Sequence, residues 1–159
     1  MLKRYKRLGY ILLPFLLLLI FRAPLYRSIV QYNSLGERSI MNIEEKALLT
    51  KLSSHPNAST VEEMMKTTRK LTNRRLHFVL RPASGDANEV YRTREANCIG
   101  YAALYASILH KLLDEHGLQQ QYRVKHKVGK LSLLGLDVHQ LFSTPFFRDH
   151  DYVDIESLE

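Results

Sequence analysis

The chain has 159 residues, a single cysteine and a formal charge of +7. That length suits one domain with a core of its own, and one cysteine excludes an intramolecular disulfide framework and leaves the thiol free. The charge would suit nucleic acid, but residues 1–27 hold Lys3, Arg4, Lys6, Arg7, Arg22 and Arg27 and no acid, which leaves about +1 for everything that follows; neither a basic domain surface nor a nucleic-acid partner is expected.

Leu8 to Phe21 is an uncharged, mostly apolar run of 14 residues, short of the roughly 20 that span a bilayer. With Arg22 snorkelling to the interface, Ala23 to Tyr26 lengthen it to a workable span. Residues 1–27 read as a membrane anchor or signal segment, and an uncleaved anchor fits best: no small-x-small pair follows the run, and Pro24 stands where a cleavage site would be wanted. A buried core helix fits poorly with a basic cluster in front and an arginine behind. The four basic residues ahead of the run favour a cytoplasmic N-terminus, although Arg22, Arg27 and Arg38 weaken that asymmetry. The expectation is a single-pass protein held in the membrane through residues 8–26, with its soluble part periplasmic or at the cell surface.

Residues 28–59 read as a connector and one short helix. Asn42-Ile-Glu-Glu45 resembles a capping box opening a helix with Ile43, Ala47, Leu48 and Leu52 on one face, and Ser53 to Ser59 is a turn by composition. A second capping box, Thr60-Val-Glu-Glu63, opens a helix carrying Val61, Met64, Met65, Thr68 and Leu71 at helical spacing; methionines so placed are core filler. Between Lys66 and Arg81 lie Lys66, Arg69, Lys70, Arg74, Arg75 and Arg81 and no acid. Such a run suits anionic lipid headgroups or nucleic acid; a solvated helix face and loop is the plainer reading, because the aromatic interleaving of single-strand binders is missing. His77 to Leu80 suits a short strand, and Pro82 to Asn88 a loop.

Asn97 is placed to cap a helix running to about Glu115, whose Ile99, Ala102, Ala103, Ala106, Ile108, Leu109, Leu112 and Leu113 leave little polar surface, with Gly117 as its stop. Tyr122, Val124, His126 and Val128 alternate with Arg123, Lys125 and Lys127, the period of a half-buried strand. A turn is expected at Gly129-Lys130, a second strand over Val138 to Ser143, a hairpin loop over Thr144 to Asp151 and a third strand over Tyr152 to Ile155. Helices followed by consecutive strands argue an α+β fold with a small antiparallel sheet.

Cys98, directly after Asn97, therefore falls at the first turn of a buried helix. A helix N-terminus carries partial positive charge and unpaired N–H groups, which favour a thiolate and can hold an oxyanion. Of the seven histidines, His139 is the best placed, on an expected strand; Asp154, between Val153 and Ile155 on the next, becomes its cross-strand neighbour, able to orient the imidazole. Asp149 and Asp151 lie close by, but Asp154 is preferred as the strand residue. By spacing alone the triple is weak, since an inert core thiol, a satisfied strand histidine and a surface acid would read the same.

The stretch VYRTREANCIGYAALYASILHKLL resembles the cysteine-helix motif of the transglutaminase-like superfamily, and Tyr122 to Val128, HQLF and DYVDIE resemble its strands. The resemblance covers about residues 60–156 and implies that residues 60–159 form a transglutaminase-like domain with the papain-like Cys-His-Asp arrangement. Residue by residue it matches Cys98 to the nucleophile, His139 to the general base and acid and Asp154 to the orienting acid. The departures are Asn97 where glycine is common, Gln140-Leu141 where Ala-Trp is frequent, and Ile155 where proline often follows the acid. The implied chemistry is thiol-dependent acyl transfer on amide bonds of a protein or peptide substrate, as a transamidase or a cysteine peptidase. A catalytically inactive, membrane-anchored scaffold keeping the fold is the alternative. No cofactor or metal is expected: there is no Gly-rich phosphate loop, and no C-x-x-C or H-x-x-x-H accompanies Cys98.

Overall fold

A computed structural model describes residues 19–54, 59–141 and 149–158. The described chain is α+β, with helices α1 (Arg22–Ile29), α2 (Lys46–Ser53), α3 (Val61–Arg75), α4 (Ala87–Thr93) and α5 (Cys98–Glu115). Strands β1 (Val30–Arg38), β4 (Tyr122–Leu133), β5 (Leu136–Asp137) and β6 (His150–Ser157) form an antiparallel sheet, while β2 (His77–Phe78) and β3 (Glu95–Ala96) make a short parallel pair. Among the described residues no helix is long and apolar enough to cross a membrane; most of the expected anchor, residues 8–18, lies outside them.

Helix α5 is the centre of the molecule. Leu104, Ile108 and Leu109 are wholly buried, and Leu112 and Leu113 nearly so, each worth about 1.5–3 kcal/mol of transfer free energy. It packs against α3 and α4 on one side and against β4 and β6 on the other. Its C-terminal stop is as expected, with Gly117 at φ +67°, a conformation glycine adopts without a Cβ penalty. Helix α3 begins on the expected capping box: the Glu63 N–H donates to Thr60 Oγ1 at 3.3 Å, and the Glu63 carboxylate accepts from the Thr60 N–H.

Helix α2 does not start on its expected box. It begins at Lys46, with no side-chain cap from its own segment. The Glu44 and Glu45 N–H groups instead donate to Asn88 Oδ1, at 2.8 and 3.3 Å, and Asn88 Nδ2 donates to the Asn42 carbonyl at 2.9 Å. A side chain 40-odd residues away supplies what local spacing suggested Asn42 would.

The sheet differs from its expected outline in three places. Residues 30–38, read as connector, form β1, an edge strand exposed along nearly its whole length and bulged between Ser34 and Gly36. Strand β4 does not turn at Gly129 but runs on to Leu133, and the chain reverses at Leu134-Gly135, both at positive φ. Gly129 serves close approach instead: a Cβ there would stand 2.7 Å from the Asn33 carbonyl oxygen and 2.8 Å from Tyr152 Cε1. Residues Val138–Leu141 form a 3-10 turn rather than the expected second strand, so β6 pairs directly with β4.

Register and pleat then decide what faces the helices. Tyr122, Val124, His126 and Val128 of β4 lie opposite Ser157, Ile155, Val153 and Asp151 of β6, and directly paired residues share a face. Val124 and His126 are buried, so this is the α5 side. Lys125 and Lys127, opposite Asp154 and Tyr152, belong to the other.

Candidate active site

Cys98 is the first residue of α5 and is half-buried. Asn97, extended at φ −98° and buried, caps the helix: its Oδ1 accepts from the N–H groups of Ile99 at 3.1 Å and Gly100 at 3.3 Å. Two of the first-turn donors expected for an oxyanion are thereby engaged, while the N–H of Cys98 itself is not one the cap takes. Gly100 lets this turn seat tightly. A Cβ there would lie 2.9 Å from Ala96 Cβ and 3.1 Å from both the Ser84 carbonyl oxygen and Val90 Cγ2.

The thiol opens on a cavity of about 490 Å³ walled by Phe78, Tyr101, Tyr105 and Met65, with His150 and Asp151 from the start of β6 on its far side. Asp151 has a side chain with no exposure, and an imidazole and a guanidinium hold it. His126 Nε2 lies 2.7 Å from Asp151 Oδ2; Arg38 donates from Nε to the same oxygen at 2.6 Å and from Nη2 to Oδ1 at 3.4 Å. The sheet brings these residues together, since Arg38 is the register partner of His126 across β1 and β4. Burial alone would push the Asp151 carboxyl up; the hydrogen bonds from His126 and then from Arg38 outweigh it and hold it below the ordinary carboxylate range. The same Asp151 hydrogen bond raises Arg38, whose guanidinium also stands within electrostatic reach of Cys98.

His150 is lowered, first by burial and then by the charge of His139, against the opposing pull of Asp151 and Asp149. Its neutral form, the one that accepts a proton, is therefore favoured at neutral pH.

His139 and Asp154 stand elsewhere. In the 3-10 turn, His139 Nε2 accepts from the Leu131 N–H at 2.9 Å, and its own backbone N–H donates to Asp137 Oδ1 at 3.0 Å. Asp154 pairs with Lys127, Oδ2 to Nζ 2.6 Å, on the sheet face turned away from α5, with 40% of its side chain exposed. The two are not the cross-strand neighbours expected, because no strand forms around His139. The acid on the helix-facing side is Asp151, three residues earlier. Strand alternation carried the signal for it: Asp151, Val153 and Ile155 share one face, and the flanking Val153 and Ile155 that made Asp154 attractive send it to the opposite one. His126 was legible in the same way, as the one polar residue in the apolar series Tyr122, Val124, His126, Val128. His150 had no comparable signal, since its role comes from lying beside a cavity at the sheet edge.

Compared with protein-family models, with curated proteins and with solved structures, the chain matches none.

Proposed function

We propose that the protein carries out thiol-dependent acyl transfer on amide bonds, with Cys98 as nucleophile, in the manner of the transglutaminase-like superfamily its cysteine helix resembles. The observation that carries the reading is that the lone cysteine, at the first turn of a buried helix, opens on the same cavity as a histidine and a carboxylate. In this scheme His150 takes the thiol proton, and the Cys98 sulfur attacks the amide carbonyl carbon, forming a C–S bond. The carbonyl oxygen gains negative charge beside the Cys98 N–H and the helix terminus. As the C–N bond breaks, His150 returns the proton to the leaving amine. An incoming amine or water then gives its proton to the same imidazole and bonds to the thioester carbon; the C–S bond breaks, the acyl group leaves as amide or acid, and the imidazole returns the proton to the sulfur. Asp151, fixed by Arg38 and His126, sets the electrostatics beside His150 without moving a proton.

The test uses the full-length chain in detergent micelles. Iodoacetamide alkylation of Cys98 at pH 7 is followed by intact mass, together with acylation by a p-nitrophenyl ester. His150→Ala is expected to slow both on the order of tenfold, and Cys98→Ser to abolish both. Loss in His139→Ala but not in His150→Ala would return the proton-carrying role to the residue the resemblance matches. Rates indifferent to every histidine would overturn the enzyme reading. One observation favours that second reading, a membrane-anchored scaffold without turnover: His139 and Asp154, the family-matched pair, are engaged with Leu131 and Lys127.

A further inference from the structure

On the opposite side of α3 from the Cys98 cavity, the basic run noted in the sequence closes into a second cavity of about 460 Å³. Its cationic lining comes from separate elements: Lys66, Lys70, Arg74 and Arg75 from α3, Lys51 from α2, and Arg94 from just past α4, with no acid among the lining residues. Lys66, Lys70 and Arg74 stand four residues apart along one helix face, and like charges at that spacing weaken a helix. A merely solvated face would ordinarily alternate acids among them. Glu63, which Lys66 feels electrostatically, is engaged by the Ser59 and Thr60 N–H groups of the capping box. Among the described residues, Lys66, Lys70, Arg74 and Arg94 form no ion pair with a carboxylate.

One of the cations is held in place by its side chain, and the backbone beneath another is pinned. Arg75 Nε donates to the Tyr91 carbonyl at 2.7 Å, and its guanidinium carbon lies 4.2 Å from the Tyr91 ring centroid. Arg94 sits in the left-handed region at φ 66°, where glycine would be less strained, and its carbonyl is pinned by the His77 N–H at 2.7 Å. A helix terminus that needed only this geometry would favour glycine; the arginine adds a positive charge at the rim.

We propose that this cavity binds a compact, phosphate-rich anion, a ligand bearing two or more clustered phosphate groups. A single carboxylate would neutralise one of these cations, whereas clustered phosphates place several charges in a cavity of this size and suit the fork of Arg74 and Arg94. Such phosphates occur on soluble polyphosphorylated molecules and on lipid headgroups, and the chemistry at the cavity is the same for both.

The experiment uses the full-length chain in neutral detergent micelles. Calorimetric titration with inorganic tripolyphosphate forms one arm, and protection of Lys66 and Lys70 from acylation in micelles doped with phosphatidylinositol bisphosphate forms the other. Binding in at least one arm is expected, weakened on the order of tenfold in Lys70→Gln/Arg74→Gln and unchanged in Arg123→Gln, an exposed cation on β4. Tripolyphosphate binding without lipid protection identifies a soluble ligand, and lipid protection without tripolyphosphate binding identifies a headgroup. Both glutamine variants lie on exposed positions, and an unchanged thermal unfolding curve shows that the fold is intact. Binding in neither arm, or equal weakening by Arg123→Gln, would overturn the proposal.

Discussion

His126 and Asp151 meet diagonally across the β4–β6 ladder, Nε2 to Oδ2 at 2.7 Å, with both side chains almost wholly out of solvent. With Arg38 reaching the same carboxylate from β1, one acid ties three strands together on the face that receives α5. Removing it leaves a buried imidazole and a guanidinium without their partner. Asp151→Ala is expected to cost about 3 kcal/mol or more. Asp154→Ala, which removes an exposed pair with Lys127, should cost under about 1 kcal/mol. Urea unfolding of the two variants, followed by circular dichroism, makes the comparison. Equal costs would mean that the three-strand tie contributes nothing beyond an ordinary surface pair.

The acid and histidine shifts predict two steps in stability against pH. The His150 pKa lies below its unfolded value of roughly 6.5. Below that pH the unfolded chain binds the proton that folded His150 resists, so stability falls in this first window. The Asp151 carboxyl also lies below its unfolded value of roughly 3.9. Its contribution is whole above that pH and is lost as the pH falls through the lowered folded value. Urea midpoints measured from pH 8 to pH 2 should lose the upper step in His150→Ala and flatten the lower one in Asp151→Asn. An upper step that survives in His150→Ala would place the titration on another group.

Helices α3 and α5 and the buried face of β4 were legible because they rest on local periodicity. Asn97, Thr60-x-x-Glu63 and Gly117 mark real termini, and the alternation from Tyr122 to Val128 marks the buried side of β4. What escaped notice depends on distant partners. Strand β1, VQYNSLGER, has no apolar alternation, because its ladder to β4 holds it as an exposed edge. Helix α4 starts inside the expected loop Pro82 to Asn88 and was not expected, although Asp86-Ala-Asn-Glu89 has the spacing of a cap, and Asp86 indeed accepts from the Asn88 and Glu89 N–H groups. At the candidate site, Cys98 stands at the first turn of α5, as its place directly after Asn97 suggests. The carboxylate that lines the Cys98 cavity is Asp151 rather than Asp154, because hydrophobes flanking a strand residue, here Val153 and Ile155, mark the face opposite to its own.

The turn that carries Cys98 is set by Asn97 and Gly100 together. Gly100→Ala would drive a Cβ to 2.9 Å from Ala96 Cβ and 3.1 Å from the Ser84 carbonyl, a buried overpacking expected to cost about 1–3 kcal/mol. Asn97→Ala removes both cap acceptors and should cost about 1 kcal/mol. Both are expected to change the Cys98 alkylation rate, because both move or loosen the first turn. Thermal unfolding and alkylation measured on the same samples test this. A Gly100→Ala protein with unaltered stability would show that the turn has room the geometry denies.

Among the described residues, three buried hydroxyls of the helical layer have no hydrogen-bond partner, Thr68 Oγ1 and Thr72 Oγ1 of α3 and Ser107 Oγ of α5. A buried hydroxyl that forgoes water without finding a partner is destabilising, and replacing it with an apolar group of the same shape removes that penalty. Thr68, fully buried, is the cleanest site, since valine matches its shape and differs little in helix propensity. Thr68→Val is expected to raise stability by about 1 kcal/mol, read as a higher urea midpoint with an unchanged slope. Thr72→Val should act in the same direction, but it also lines the Cys98 cavity, so its effect on alkylation reports on that wall as well. A destabilised Thr68→Val protein would mean that the hydroxyl has a partner, such as an ordered water held between α3 and α5.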